Sequence, residues 1–400
     1  MLNAWGNDNG LAETTRAYSR GGEVVARYVV RSTDIKKAAD AIAIGQSIGN
    51  PNVRLAGETT EMWDAFGCQV REIRPAGHEA SLVDIGFPAN NLTPSSLTHL
   101  LSSVMGGQMD IDIIAECRLV DLELPTGIMG QYSGPRNGIE GIRNYLGAYG
   151  RPLVGGIVKP KTGLTPGQLA DNCRQMADGG IDFIKEDEIL GMIEICPFEQ
   201  RIEKVMRALE GYKVIFAPAL NAPIQQLPDN IAILKSYGCP AFHYNVWGGL
   251  DVFKYLADIS DGLFAFYQKS GDKVITSGAF SIDFAVWCKL VRLAGADFIH
   301  AGMMGGYLDE DKDTMTRRME ALRGDMGGLR SVMPSLSCGA TPGMVAYLAK
   351  QLGDGIMVSS GGCLHGHPMG TYAGAKAFRD AAEGRESLEL ATAIGKWGKL

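Results

Sequence analysis

The most reactive run of the chain is Gly179-Gly180-Ile181-Asp182-Phe183-Ile184-Lys185-Glu186-Asp187-Glu188. Side chains of an extended strand repeat every two residues, so Lys185 and Asp187 share a face, and Glu188 at the strand's end can turn into the same space. Two carboxylates are hard oxygen ligands of the kind Mg2+ takes. A lysine ammonium beside them would repel a cation. The conflict disappears if Lys185 is neutral and takes up CO2 as a carbamate, which makes it a third anionic oxygen ligand. An isolated Lys-Glu-Asp-Glu run is usually a solvated face; the apolar strand leading into this one is what favours a metal site.

A second lysine motif, Lys159-Pro160-Lys161, follows Gly156-Ile157-Val158. Two lysines astride a proline cannot continue as a paired strand, so they project from its end. A lysine held near a cation and other ammonium groups loses its proton more readily and can act as general base beside a carbonyl. Taken alone the motif is equally two solvated lysines. Ser359-Ser360-Gly361-Gly362 and Ser337-Cys338-Gly339 offer backbone amides that can cradle a phosphate, since glycine lets the backbone come close. Asn221 and His243 are candidate substrate-binding groups. His300 is a candidate for substrate binding or proton relay, with a hydrogen-bonded core role as its competitor. His365 and His367 read as residues that cap and orient the last loop.

These groups need elements to gather them. After Arg151 short apolar runs alternate with amphipathic segments. The strands fall at 153–158, 181–185, 213–219, 241–245, 262–267, 297–301, 332–337 and 355–360, and the helices between them begin with signals such as Thr165-Pro166 and Thr341-Pro342. Eight strand–helix units match a TIM (β/α)8 barrel of roughly 250 residues, whose catalytic groups lie in the loops at the strands' C-terminal ends. The singled-out residues fall at that rim. An open doubly wound sheet is disfavoured because no GxGxxG follows the first strand. Before the barrel, strand-like runs at 23–31, 69–73, 82–85 and 113–119 and helices at 34–45 and 94–105 occur in irregular order, as in a small α+β, ferredoxin-like domain. The expected organisation is an N-terminal domain over 1–124, a linker with one helix over 125–151 and the barrel over 152–400.

Composition bounds the function. A net charge of −7 among 38 basic and 45 acidic residues, with no basic run, argues against a nucleic-acid partner. No apolar stretch is long enough to span a membrane, and the first residues lack the pattern of a signal peptide, so a cytoplasmic protein is expected. The eight cysteines are scattered without a CxxC pair, which suits reduced thiols rather than a zinc site or a disulfide frame.

In order and spacing, Lys159-Pro-Lys161-Thr-Gly-Leu, Gly-Gly-Ile-Asp-Phe-Ile-Lys185-Glu-Asp187-Glu188, Phe298-Ile-His300-Ala-Gly, Met333-Pro-Ser-Leu-Ser337-Cys-Gly339 and Gly361-Gly-Cys-Leu-His-Gly-His367-Pro resemble the motif series of the RuBisCO large-subunit superfamily. The similarity runs from about Glu23 to the C-terminus. It implies that Lys185 is the carbamylated metal ligand, completed for Mg2+ by Asp187 and Glu188. It further implies that Lys159 is the enolising base and that Lys161 contacts substrate. Gly339, Gly361 and Gly362 would hold a phosphate, with His300 and Ser337 at the substrate's far end. Two chains would pack as an antiparallel homodimer, or as a higher assembly of dimers, each N-terminal domain covering the other's barrel mouth.

The departures from that pattern shape the expected reaction. A carboxylase has a His-Arg pair after the fifth strand; here the segment is Phe264-Ala-Phe-Tyr-Gln268. It has a lysine on the loop after the sixth strand; here Met303-Met-Gly-Gly-Tyr307 has none. The N-terminal Glu and Asn are missing from the segments around Gly45-Gln46 and Gly106-Gly107. The sequence therefore resembles the RuBisCO-like, form IV proteins, and implies a Mg2+-dependent enzyme that forms an enediolate from a singly phosphorylated keto-sugar or keto-sugar acid, as enolase, isomerase or decarboxylase, without fixing CO2. Methionine-salvage enolases and isomerases are the alternative, disfavoured because the enolases carry a lysine where Gly107 stands. A non-catalytic binder of a phosphorylated ligand is the second.

Overall fold

In the computed structural model, the structure describes residues 22–77 and 79–400; the first 21 residues of the expected N-terminal domain lie outside these. Contacts divide the chain into two compact units. One comprises the residues up to Tyr132 together with Asp272–Leu290, and the other Ser133–Gly271 with Val291–Leu400.

The first unit is a five-stranded sheet in the order β10-β4-β1-β3-β2, formed by β1 (Glu23–Ser32), β2 (Gln69–Gly77), β3 (Ala80–Pro88), β4 (Ile114–Glu123) and β10 (Phe280–Ile282). Strict alternation in β1 buries Val24, Ala26, Tyr28 and Val30 on one face, the pattern of a half-covered antiparallel sheet. The helix Ile35–Gly45 supplies Ala38, Ala39 and Ile42 to the core, and Asp34 caps it by accepting from the Lys37 amide. Two of the elements that the sequence did not lead one to expect shape this unit. One is the helix Thr60–Phe66. The other is β10, which runs parallel to β4 and adds a late segment of chain to this sheet. The observed unit thus takes residues 272–290, which the expected division assigned to the barrel.

The second unit is a closed barrel of eight parallel strands: β5 (Leu153–Ile157), β6 (Phe183–Lys185), β7 (Ile215–Ala217), β8 (Ala241–Asn245), β9 (Phe264–Gln268), β11 (Phe298–Gly302), β12 (Met333–Leu336) and β13 (Met357–Ser360). All eight expected strands are present, several shorter than expected. The ring closes between β7 and β8 through the Ala219–His243 bridge, where the His243 amide donates to the Pro218 carbonyl at 2.9 Å and the Leu220 amide to the His243 carbonyl at 3.0 Å.

The first residues of the strands, among them Leu153, Ile215, Ala241, Phe298, Met333 and Met357, form one apolar cluster with Ile142 and Leu146 of the helix Gly138–Leu146. That helix plugs the N-terminal end of the barrel. Phe183, Phe266 and Phe298 stack across the interior with centroids 4.8 to 5.9 Å apart; each buried ring contributes roughly 1.5–3 kcal/mol. The filled end leaves chemistry to the other end. Between β5 and β6, the helix Pro166–Asp178 starts with a full capping box, Thr165 with Gln168, and Pro166 in its first turn. At Thr341-Pro342 the chain instead makes a 3-10 turn before the helix Val345–Leu352, with no side-chain cap.

Candidate active site

β6 ends at Lys185, whose side chain is 1% exposed and turns into the barrel. Its Nζ donates to the Glu186 carbonyl at 2.9 Å, stands 3.6 Å from Glu188 Oε2 and lies 5.9 Å from the centre of the Phe266 ring. Desolvation disfavours the ammonium, and it outweighs the pull of Glu188 and Asp187, so the Lys185 pKa is lowered to about 8. An amine that can be neutral close to neutral pH is a nucleophile. Burial alone would raise Glu188, but the Lys185 charge and hydrogen bonds that include Ser270 bring it down to about 2. Asp187 is buried and pairs with Lys159 Nζ. The ends of β5 and β6 therefore bring together Lys159, Lys185, Asp187 and Glu188, as the sequence leads one to expect.

Glu186, between them, faces the opposite way. Its carboxylate is fully buried and takes both Arg201 Nε at 2.9 Å and an Arg201 Nη at 3.2 Å, together with the Ala219 amide at 2.9 Å. Arg201 also donates to the carbonyls of Gly191 and Cys196. This clamp fixes the turn that aims Asp187 and Glu188, and the sequence reading missed it. A signal was present: Arg201 sits with Phe198, Ile202 and Val205 on the buried stripe of the helix Phe198–Ala208, where a cation needs a partner. A second support was also missed. Gln268 Nε2 donates to Ser270 Oγ at 2.5 Å, and Ser270 Oγ donates to Glu188 Oε1 at 2.9 Å.

The remaining candidates divide. His300 is buried and hydrogen-bonded through Nδ1 to Ser337 Oγ at 3.1 Å, edge-on to Phe266 at 4.9 Å. Desolvation and then Lys185 lower its pKa to about 3, so its ring is neutral. Gly361 lies against Lys159: a Cβ there would stand 2.7 Å from Lys159 Cε and 3.0 Å from the Ile157 carbonyl, so a larger residue would push the Lys159 side chain aside. Gly339 has φ +101°, and a Cβ would meet the Tyr307 amide nitrogen at 2.6 Å. Gly362 and Lys161 are exposed at the rim. Asn221 is turned toward the protein, its amide donating to the Glu188 and Leu190 carbonyls at 2.7 and 2.9 Å, so it holds the loop that carries Glu188. His243 lies inside the barrel, with neither ring nitrogen hydrogen-bonded. His367 braces the last loop as expected, bonded to the Glu389 carbonyl at 3.0 Å and the Met369 amide at 3.1 Å.

Whether this site suits Mg2+ turns on its donors. Among the described residues no three of His, Cys, Asp and Glu converge. Asp187 and Glu188 provide two hard oxygens, and Lys185 becomes a third only as its carbamate. The buried, readily neutral Lys185 amine fits that requirement.

A (β/α)8 barrel with an α+β unit ahead of it and a lysine–carboxylate cluster at the ends of its first two strands defines a protein of RuBisCO architecture. Residues 138–394 match the family model of the ribulose bisphosphate carboxylase large chain, catalytic domain, and residues 15–128 match that of its N-terminal domain. The chain belongs to this family. It is 32% identical to a 2,3-diketo-5-methylthiopentyl-1-phosphate enolase of Geobacillus kaustophilus, over 94% of this chain and 98% of the relative. It is 28% identical to a ribulose bisphosphate carboxylase of Archaeoglobus fulgidus, over 92% and 91%. Among solved structures, an octameric RuBisCO of Pyrococcus horikoshii superposes with a TM-score of 0.89 at 26% identity, covering 94% of each chain. A rubisco-like protein (MtnW) of Alicyclobacillus acidocaldarius does so with 0.84 at 29%, covering 94% of this chain and 100% of the other.

Proposed function

We propose that the protein is a Mg2+-dependent enzyme that forms an enediolate from a singly phosphorylated keto compound and does not fix CO2. The observation that carries this reading is the cluster of buried Lys185, Asp187 and Glu188 with Lys159 against Asp187. Held by carbamylated Lys185, Asp187 and Glu188, Mg2+ would polarise the substrate's adjacent oxygens and stabilise enolate charge. Lys159, which pairs with Asp187 at the end of the neighbouring strand, would take the proton from the carbon beside the ketone. The enediolate is then reprotonated at another carbon, as in an enolase or isomerase, or arises by loss of CO2, as in a decarboxylase. Exposed Lys161 meets a substrate oxygen. The amides of Gly361 and Gly362, with Gly339, bind the single phosphate, while neutral His300, oriented by Ser337, holds the far end.

The carboxylase reading lacks its parts. Phe264–Gln268 is buried strand with no His-Arg pair, and Tyr307, where a lysine would steady added CO2, is 85% exposed. Relatives named as 2,3-diketo-5-methylthiopentyl-1-phosphate enolases favour a diketone 1-phosphate as substrate. Gly107, where those enzymes are expected to bring a lysine, favours keto-sugar acid phosphates. Structural relatives named as dimeric and octameric RuBisCOs support a homodimer or an assembly of dimers. No helix among the described residues is long and apolar enough to cross a membrane, and the net charge favours small-molecule over nucleic-acid partners.

The test is 31P NMR of both substrate classes with the purified protein, CO2 and Mg2+. One class should be converted, only when Mg2+ is present, and conversion should slow by about 10^2 to 10^4 in Lys159→Met. If neither class is converted and neither exchanges its proton, the protein is a binder and the proposal fails.

A further inference from the structure

His243 is a buried polar residue inside the barrel. Its side chain is 1% exposed, and neither Nδ1 nor Nε2 finds a hydrogen-bond partner. Leaving a buried donor unmet costs about 1–3 kcal/mol, and such groups ordinarily signal a missing water, ion or ligand. The ring sits in the catalytic half of the barrel. It projects from β8, with Lys185 on β6 and His300 on β11, alternate strands whose side chains share one layer in such barrels. All three surround the same aromatic ring: Phe266 lies 6.4 Å from the His243 ring, 5.9 Å from Lys185 Nζ and 4.9 Å from the His300 ring, centre to centre where rings are concerned. The Glu186 carbonyl that accepts from Lys185 Nζ also acts on His243, although no hydrogen bond forms between them. The charge on Lys185 is felt at the His243 ring.

We propose that His243 is a positioning residue for carbamylated Lys185, donating a ring N–H to a carbamate oxygen. The inference rests on the carbamate reading of Lys185. In the step concerned the lone pair of neutral Lys185 attacks the carbon of CO2. An N–C bond forms, one C=O π pair moves onto oxygen, and one nitrogen proton leaves to water, giving –NH–COO− and H+. The remaining N–H keeps the Glu186 carbonyl as its acceptor. The new oxygens bring the buried acceptor that His243 lacks, so the hydrogen bond exists in the carbamylated state alone and shifts the equilibrium toward it. Burial also holds His243 well below the usual histidine range, which keeps the ring neutral, one nitrogen donating and the other accepting.

The test reads the carbamate itself, independently of turnover. Wild type, His243→Phe, His243→Met and His243→Asn are equilibrated with 13C-bicarbonate and Mg2+. The carbamate carbon is then counted by 13C NMR across a CO2 series, and each protein is melted by circular dichroism. Phe and Met remove the donor while nearly keeping the volume; Asn restores a donor. Either donor-less variant that melts cooperatively should need about tenfold more CO2 for half occupancy, and His243→Asn should recover most of the loss. A folded His243→Phe or His243→Met that carbamylates as readily as wild type overturns the proposal. Wild type with no carbamate at Lys185 would overturn the carbamate reading and the proposal together, which separates the two failures.

Discussion

A lysine at the end of an apolar strand ordinarily reaches for water, but Lys185 is enclosed by Phe266, Glu186 and Glu188. Its chemistry follows from that enclosure: the ammonium is disfavoured, and a carbamate would return negative charge where Asp187 and Glu188 already collect it. Lys185→Ala should abolish Mg2+-dependent turnover; normal turnover in that variant would remove the metal assignment. Lys159 acts on the substrate rather than on the cation. Lys159→Met should therefore slow turnover by about 10^2 to 10^4, the usual share of a general base, while Mg2+ still binds, as titration calorimetry would report. Lys185, Asp187, Glu188 and Lys159 were legible in the sequence because strand periodicity and ligand chemistry are both local. Asn221 and Glu186 were not, since their partners come from other loops and from a helix. Asn221 reads as a rim residue in sequence but anchors the Glu188 loop in space.

At the scale of elements, what matters is how the strand ends are held. The Glu186–Arg201 clamp ties the end of β6 to the helix Phe198–Ala208 with neither group exposed. Removing one partner strands a buried charge, so Arg201→Met should cost about 3–5 kcal/mol in urea unfolding, and adding Glu186→Gln should recover part of it. Additive losses in the double variant would contradict the clamp. Gly361→Ala would press on Lys159 Cε and on the Ile157 carbonyl at once. It should raise KM and lower kcat together, whereas a simple turn glycine would affect stability alone. The eight barrel strands were legible because each is an apolar run bounded by turn residues, although β7 is only three residues long. β10 was not legible: three residues amid Gly and Ser gain strand character solely from pairing with β4, which lies far off in sequence.

For the whole molecule, each unit has its own core, and family architecture leads us to expect two chains to a functional assembly. Light scattering on the eluting protein should give twice 42.9 kDa or an even multiple of it; a stable monomer with full activity would contradict the dimer proposal. The two-part plan was legible in the sequence from the switch between irregular and alternating texture. The membership of 272–290 in the first unit was not, because contiguity along the chain says nothing of a segment that leaves one unit and joins another.

The central claim is enolisation without carboxylation, and one experiment measures both. The protein, activated with CO2 and Mg2+, is incubated in D2O with 14C-bicarbonate and either a singly phosphorylated keto substrate or ribulose 1,5-bisphosphate. Deuterium entering the carbon beside the ketone and acid-stable 14C are counted in the same sample. We expect Mg2+-dependent deuterium incorporation into the singly phosphorylated compound, absent in Lys185→Ala, with no acid-stable 14C from either substrate. Fixed 14C in a product of ribulose 1,5-bisphosphate would contradict the account.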